Sequence, residues 1–215
     1  MTHSLHREGP ADLLNREYVL FIYPARGFNY DGSGPKLKRL AEVLYTNGPA
    51  NMLVSTLRRN LYSGVKPEEW FQSIKDGAKI YSVFSDREQL KKALIRIKEM
   101  DEGISVMVSG MIDRVREVAE EAGLPPHTIN ISLGFHGDKT RVPPADLRQF
   151  TTMCGHGMVS PRLVREVIRK IKTGRLDFWK GSLVLAGPCT CGIFNPCRSA
   201  EMLRHLVPLY SRSRW

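Results

Sequence analysis

Short apolar runs alternate with amphipathic stretches along the first two thirds of the chain. Runs rich in β-branched and aromatic residues predict strands, and these lie at 17–23, 78–84, 103–109 and 128–133. Apolar residues three or four positions apart predict helices, and these lie at 36–45, 50–62, 86–100 and 110–122. Strands joined by helices of about 10–15 residues are typical of βαβ units. We therefore predict an α/β fold with a mostly parallel sheet flanked by helices.

The last third of the chain has the same mixture of elements, with more glycine and proline between them. Strands are predicted at 147–153 and 183–186, and helices at 160–172 and 199–206. In the helix at 160–172, Leu163, Val167 and Ile171 recur every four residues, which is the spacing of a packed face. The basic residues of this helix are therefore expected to point outward.

These elements are expected to form one domain. Its predicted limits are 17–207, with an N-terminal extension at 1–16 and a C-terminal tail at 208–215. Two turns within it are rich in glycine and contain every cysteine of the chain: the first cysteine loop (residues 152–160) and the second cysteine loop (residues 187–198). Both loops follow a predicted strand.

The composition of the chain excludes several classes of protein. Hydrophobic residues make up 42% of the chain and charged residues 25%, which is enough apolar material for a core and excludes disorder throughout. No apolar run approaches the ~20 residues of a membrane-spanning helix. The first ten residues lack the apolar stretch of a secretory signal, so we expect a cytoplasmic protein. In that reducing compartment, cysteines more often serve metals, clusters or catalysis than disulfides.

Positive charge is concentrated in the same part of the chain as the cysteines. The net charge is +10, and residues 151–215 contain 11 basic but only 3 acidic residues. Such a surface attracts nucleic acid, an acidic protein or an anionic small molecule, and it also offsets the charge of metal-bound thiolates. We take Arg162, Arg165 and Arg198 as the candidate anion-binding residues, because they lie in or next to the cysteine loops.

The four cysteines are the candidate metal ligands. Cys154 belongs to the first cysteine loop, and Cys189, Cys191 and Cys197 belong to the second. In parallel α/β sheets ligands bind beyond the carboxyl ends of strands, so both loops are expected to meet at that rim. Four thiolates suffice for a [4Fe–4S] cluster or for tetrahedral zinc.

Two histidines supply further candidates. His136 and His156 are spare nitrogen ligands and candidate catalytic groups, and either one is an alternative to Cys197 as the fourth ligand. Because the cysteines cluster with little histidine among them, we expect a [4Fe–4S] cluster ahead of zinc.

These observations favour an iron–sulfur or other metal-binding protein of redox or anaerobic metabolism. It would be an enzyme acting on an anionic substrate, or a subunit that meets an acidic redox partner; assembly into oligomers is left open. One alternative is a zinc-stapled basic module that binds nucleic acid or an acidic protein.

A second alternative comes from the first cysteine loop. Its Cys154-Gly155-His156-Gly157 segment resembles the cysteine turn of proline-racemase-like epimerases, in which a cysteine at a helix start exchanges a substrate α-proton. The resemblance covers four residues, and the second cysteine loop does not match that family's other cysteine turn. It implies a cysteine-dependent isomerase in which Cys154 is the reactive thiol.

Overall fold

The sheet has four strands in the computed structural model, which describes residues 6–210. The strands are β1 (Tyr18–Tyr23), β2 (Asn51–Val54), β3 (Ile80–Phe84) and β4 (Ser105–Ser109). Their spatial order is β2-β3-β1-β4, and each neighbouring pair is antiparallel.

Helices account for most of the remaining regular structure. They are α1 (Ala11–Leu14), α2 (Ser33–Thr46), α3 (Pro67–Ser73), α4 (Arg87–Met100), α5 (Ile112–Glu121), α6 (Ala145–Thr151), α7 (Pro161–Lys172), α8 (Phe178–Ala186) and α9 (Pro196–Leu209). Two 3₁₀ turns lie at Lys139–Arg141 and Thr152–Cys154. Of the described helices, none combines the length and the apolar character that crossing a bilayer requires.

The predicted mostly parallel sheet is wrong, and the strand order shows why. Strands β1 and β2 are both antiparallel to β3, so they run in the same direction, as the helix between them predicts. However, β3 lies between them in the sheet. Strands β3 and β4 also run in the same direction as each other, and β1 lies between them. This is the split βαβ arrangement, in which every crossover skips one strand and no parallel neighbours arise.

Alternation along the central strand β1 divides the interior into two cores. Tyr18, Leu20 and Ile22 face a core shared with α2, α3, α4 and α5. Val19 and Phe21 face the opposite core, which contains residues of α6, α7, α8 and α9 and three of the cysteines. The protein therefore has a helix–sheet–helix arrangement, with side chains of successive strand residues on opposite faces. The three buried cysteines of the two loops belong to this second core, on one face of the sheet.

Several predicted elements differ from the observed ones. The segment predicted as a helix at 50–62 begins with strand β2, which is buried along its whole length. The segments predicted as strands at 147–153 and 183–186 belong mainly to helices α6 and α8. The segment at 128–133 alternates like a strand but pairs with no described strand, and its Ile131 is 66% exposed.

The two ends of the chain are described only in part. Arg7 and Glu8, in the predicted N-terminal extension, hydrogen-bond to residues of both cysteine loops. Helix α9 continues to Leu209, and residues 211–215 of the predicted tail lie outside the described residues.

Candidate metal centre

The first cysteine loop joins α6 to α7 through two left-handed glycines. Cys154 ends the 3₁₀ turn and is fully buried. Gly155 and Gly157 both have positive φ, at 61° and 69°, which only glycine adopts without strain. Between them lies the exposed His156, whose ring contacts the buried thiol of Cys191 in the second cysteine loop. Ser160 then caps α7, since its hydroxyl accepts a hydrogen bond from the Leu163 amide.

The second cysteine loop joins α8 to α9 and is fastened to the sheet. The amide side chain of Asn51 in β2 donates to the carbonyl of Phe194 at 2.9 Å. Gly192 has a φ of 65° and lies against Leu53, where a Cβ atom would come within 2.5 Å of the leucine Cβ. Asn195 caps α9 and also donates to the hydroxyl of Ser85 at 2.8 Å. The position of Cys189 and Cys191 therefore depends on β2 and on the end of β3.

Three thiols and one imidazole meet where these loops touch. The Sγ atoms of Cys189 and Cys191 are 3.8 Å apart, and Nδ1 of His156 is 3.4 Å from Sγ of Cys191. The thiol of Cys154 also interacts with that of Cys189. All three thiols are free and no more than 3% exposed.

The thiols differ in how readily they ionise. Contact with Cys189, together with burial, raises the pKa of Cys154 far above its ordinary value. Contact with Cys154 lowers the pKa of Cys189, but contact with Cys191 and burial outweigh it and raise the value to about 11. Contact with Cys189 lowers the pKa of Cys191, and the positive charge of Arg7 contributes in the same direction. Cys191 is therefore the thiol that ionises most readily in this cluster.

Cys197 and His136 lie apart from this group. Cys197 is exposed on the first turn of α9, where its neighbour is Tyr62. Burial, followed by the charge of Cys197, raises the pKa of that tyrosine to about 12. The ring of His136 is 2.9 Å from the carbonyl of Leu133 in its own loop. Of these candidate ligands, the structure places His156 against Cys191 in the group of buried thiols, whereas Cys197 and His136 lie elsewhere.

The three candidate anion-binding arginines do not form one group. Arg162 is exposed and Arg165 is half-buried on α7. Arg198 is only 4% exposed, and it makes an ion pair with Glu17 at 2.6 Å. Since its charge is already paired inside the protein, Arg198 is not available to an anion at the surface.

Sequence reasoning missed a buried ion cluster beside the centre. Arg7 and Arg198 both donate to Oε2 of Glu17, which is 3% exposed. These residues are separated by up to 191 positions, so no local spacing in the sequence indicates the cluster. The one hint in the sequence was Glu17 itself, an acidic residue directly before the apolar strand β1.

Soft thiolates and an imidazole are the ligands that zinc and iron prefer in proteins. Among residues 6–210, however, no set of three or more His, Cys, Asp or Glu side chains is already arranged to hold a metal ion. No protein-family model, no curated protein and no solved structure matches this chain.

Proposed function

We propose that the protein binds one zinc ion through Cys154, His156, Cys189 and Cys191. The spacing of the sulfur and nitrogen atoms supports this. In a tetrahedral site with ordinary zinc–ligand bonds, two sulfurs lie about 3.8 Å apart, and a sulfur and a nitrogen lie about 3.6 Å apart. The Cys189–Cys191 distance is 3.8 Å, and the Cys191–His156 distance is 3.4 Å.

The same spacing favours a single ion over an iron–sulfur cluster. The cysteines of a [4Fe–4S] cluster bind different irons, so their sulfurs lie further apart than sulfurs that share one ion. Cys189 and Cys191 are close enough to share one. The [4Fe–4S] cluster of a redox protein stays a prediction, and the experiment below tests it as well.

Zinc binding requires a local rearrangement of the first cysteine loop. No described set of side chains is already arranged to hold a metal ion, so Cys154, which interacts with Cys189, and His156, which contacts Cys191, must move to a common centre. The two left-handed glycines on either side of His156 make this loop well suited to such a change. The second cysteine loop is fastened to β2 and provides the fixed half of the site.

A metal at this position would join the four C-terminal helices. The first cysteine loop connects α6 to α7, and the second connects α8 to α9. Structural zinc sites contribute directly to folding free energy, because the unfolded chain has no preformed site. The four ligands all come from the protein, which is typical of structural zinc.

The geometry does not favour Cys154 as the nucleophile of an isomerase. A reactive thiol needs a lowered pKa and access to substrate. Cys154 is fully buried, its pKa is raised, and it lies six residues before the capping residue of α7, Ser160.

A basic surface lies next to the proposed centre. Arg162 and Arg165 follow Ser160 in the first two turns of α7, and the ion pairs of this helix among the described residues join Glu166 to Arg169 and Lys170. An anionic small molecule or an acidic protein is the partner chemistry that this surface fits. We place the predicted anionic partner there, without Arg198.

Metal analysis of protein purified without oxygen tests the proposal. We expect one zinc per chain, and we expect Cys154→Ser, Cys189→Ser and Cys191→Ser each to lose zinc on dialysis against a moderate chelator. Cys197→Ser is the matched control, because Cys197 is exposed and lies outside the cluster. It should retain zinc like the unchanged protein.

Three outcomes would contradict zinc binding at this cluster. Protein that contains no metal would refute the proposed function. Coloured protein with several irons and inorganic sulfide per chain would show an iron–sulfur cluster in place of zinc. Full zinc content in Cys191→Ser would show that the ion is held elsewhere.

A further inference from the structure

One arginine from the N-terminal segment connects both cysteine loops. The guanidinium of Arg7 donates through Nη1 to the carbonyl of Met153 at 2.7 Å and through Nη2 to the carbonyl of Ile193 at 2.9 Å. Met153 directly precedes Cys154, and Ile193 follows Cys191 by two residues. A planar fork of fixed geometry therefore sets the separation of the two loops.

The third contact of this guanidinium holds the fork in place. Nε of Arg7 donates to Oε2 of Glu17 at 2.6 Å, and the same carboxylate oxygen accepts from Arg198. The Arg7 side chain is only 6% exposed and that of Glu17 only 2%. An arginine anchored in this way has little freedom to leave the two carbonyls.

The next residue strengthens the attachment of the segment. The backbone amide of Glu8 donates to the hydroxyl of Thr152 at 3.0 Å, and its carboxylate pairs with Arg148 at 2.6 Å. The carbonyl of Glu8 accepts from Arg198. Residues 7 and 8 thus lie across the beginning of the first cysteine loop and the start of α9.

Charge in this region also fits a thiolate centre. Arg7 and Arg198 with Glu17 leave a net charge of +1 in the buried cluster. A zinc ion with three thiolates and a neutral histidine carries −1. Two opposite charges of equal size beside each other cost less to bury than either one alone.

We propose that Arg7 is the positioning residue of the metal centre: it holds the two cysteine loops at the separation at which their thiols can share one ion. This rests on the proposed zinc site. Arg7 acts through the carbonyls of Met153 and Ile193 and does not touch the ion. Outer contacts of this kind change metal affinity by roughly 10- to 100-fold when they are removed.

Two substitutions separate geometry from charge. Arg7→Met removes both the fork and the charge, whereas Arg7→Lys keeps the charge but replaces the planar fork by one ammonium nitrogen, which cannot hold the two carbonyls in the same fixed geometry. Arg16→Met is the matched control, because Arg16 also lies near the N-terminus and its side chain is 56% exposed in a surface ion pair with Glu201. Zinc affinity is measured in the full-length chain by competition with a chelator. The Co²⁺-substituted proteins provide the spectroscopic signature of the ligand set.

We expect Arg7→Lys and Arg7→Met each to weaken zinc binding by roughly 10- to 100-fold and to alter the Co²⁺ spectrum, while Arg16→Met changes neither. A merely structural role would lower the melting temperature of metal-free and zinc-loaded protein equally and leave affinity and spectrum unchanged. That result would overturn the proposal, as would unchanged affinity in Arg7→Lys. If Arg7→Met does not fold, the lysine variant alone decides.

Failure of this inference is distinguishable from failure of the zinc site. Unchanged protein that binds one zinc, together with Arg7 variants of equal affinity, refutes only the positioning role. Unchanged protein that binds no zinc refutes the proposed function, and the positioning role is refuted with it.

Discussion

Replacing Glu17 by glutamine gives a measurable change whose size follows from the buried ion cluster. Burial alone would raise the pKa of this carboxyl, but the charges of Arg7 and Arg198 and their hydrogen bonds outweigh it. Together they lower the pKa of Glu17 from 4.5 to about 2. The difference corresponds to about 3 kcal/mol of folding free energy.

The sign of the pH dependence follows from the lowered pKa. Because the folded pKa lies below the unfolded one, this stabilisation is fully present above pH 4.5 and is lost as the pH falls toward 2. Glutamine cannot ionise, and it leaves Arg7 and Arg198 buried without a counter-charge. Removing one partner of a buried pair costs about 3–5 kcal/mol. The gap in unfolding free energy between the two proteins should therefore be large near neutral pH and close as the pH falls.

Urea unfolding at a series of pH values measures this gap, with chelator and reductant present so that metal release does not contribute. Glu166→Gln is the control, since Glu166 also pairs with an arginine, Arg169, but is 40% exposed. Its substitution should change the free energy of unfolding much less than Glu17→Gln does. A gap for Glu17→Gln that stays constant from neutral pH to pH 3 would refute the assignment of the low pKa to this carboxyl.

Two further predictions concern the cysteine loops. Gly192→Ala should destabilise the protein and weaken zinc binding, because the new Cβ atom would come within 2.5 Å of Leu53. Gly174→Ala is the control, because Gly174 has a similar positive φ but no atom within 4 Å of the Cβ position. It should lower the free energy of unfolding only by the backbone strain of about 1–2 kcal/mol. Equal losses of stability in the two variants, measured by calorimetry, would contradict the close contact at Gly192. In metal-free protein, iodoacetamide should modify the exposed Cys197 first and the buried Cys154 last, as followed by mass spectrometry. Early modification of Cys154 would instead support a reactive thiol.

Local sequence patterns predicted many elements but not the pairing of the strands. Apolar β-forming runs predicted β1, β3 and β4 to within two residues, and capping and spacing predicted α4 and α7 equally well. Strands β3 and β4, which helix α4 connects, run in the same direction, as a βαβ unit requires, but β1 lies between them. The predicted parallel sheet was wrong because the order of strands in a sheet depends on tertiary packing. Local residue spacing does not indicate that order.

The candidate site was predicted in part for a related reason. Glycines around the cysteines indicated two loops of special conformation, and the structure brings Cys154 to Cys189. Cys197 is separated from Cys191 by only six positions, but α9 begins between them. The helix turns Arg198 inward and Cys197 outward, and the number of residues between two cysteines carries no such information.

Charge balance gives an independent reason for histidine as the fourth ligand. A zinc ion with four thiolates would carry −2, against the +1 of Arg7, Glu17 and Arg198, and one negative charge would remain uncompensated beside a buried core. With His156 as the fourth ligand, the proposed centre would carry −1 and the two charges would cancel. The exposed position of His156 is consistent with this, because a neutral imidazole can close the site at the surface without bringing further charge inside. The arginines that fasten the N-terminal segment and the histidine that completes the proposed centre are thus parts of one electrostatic arrangement.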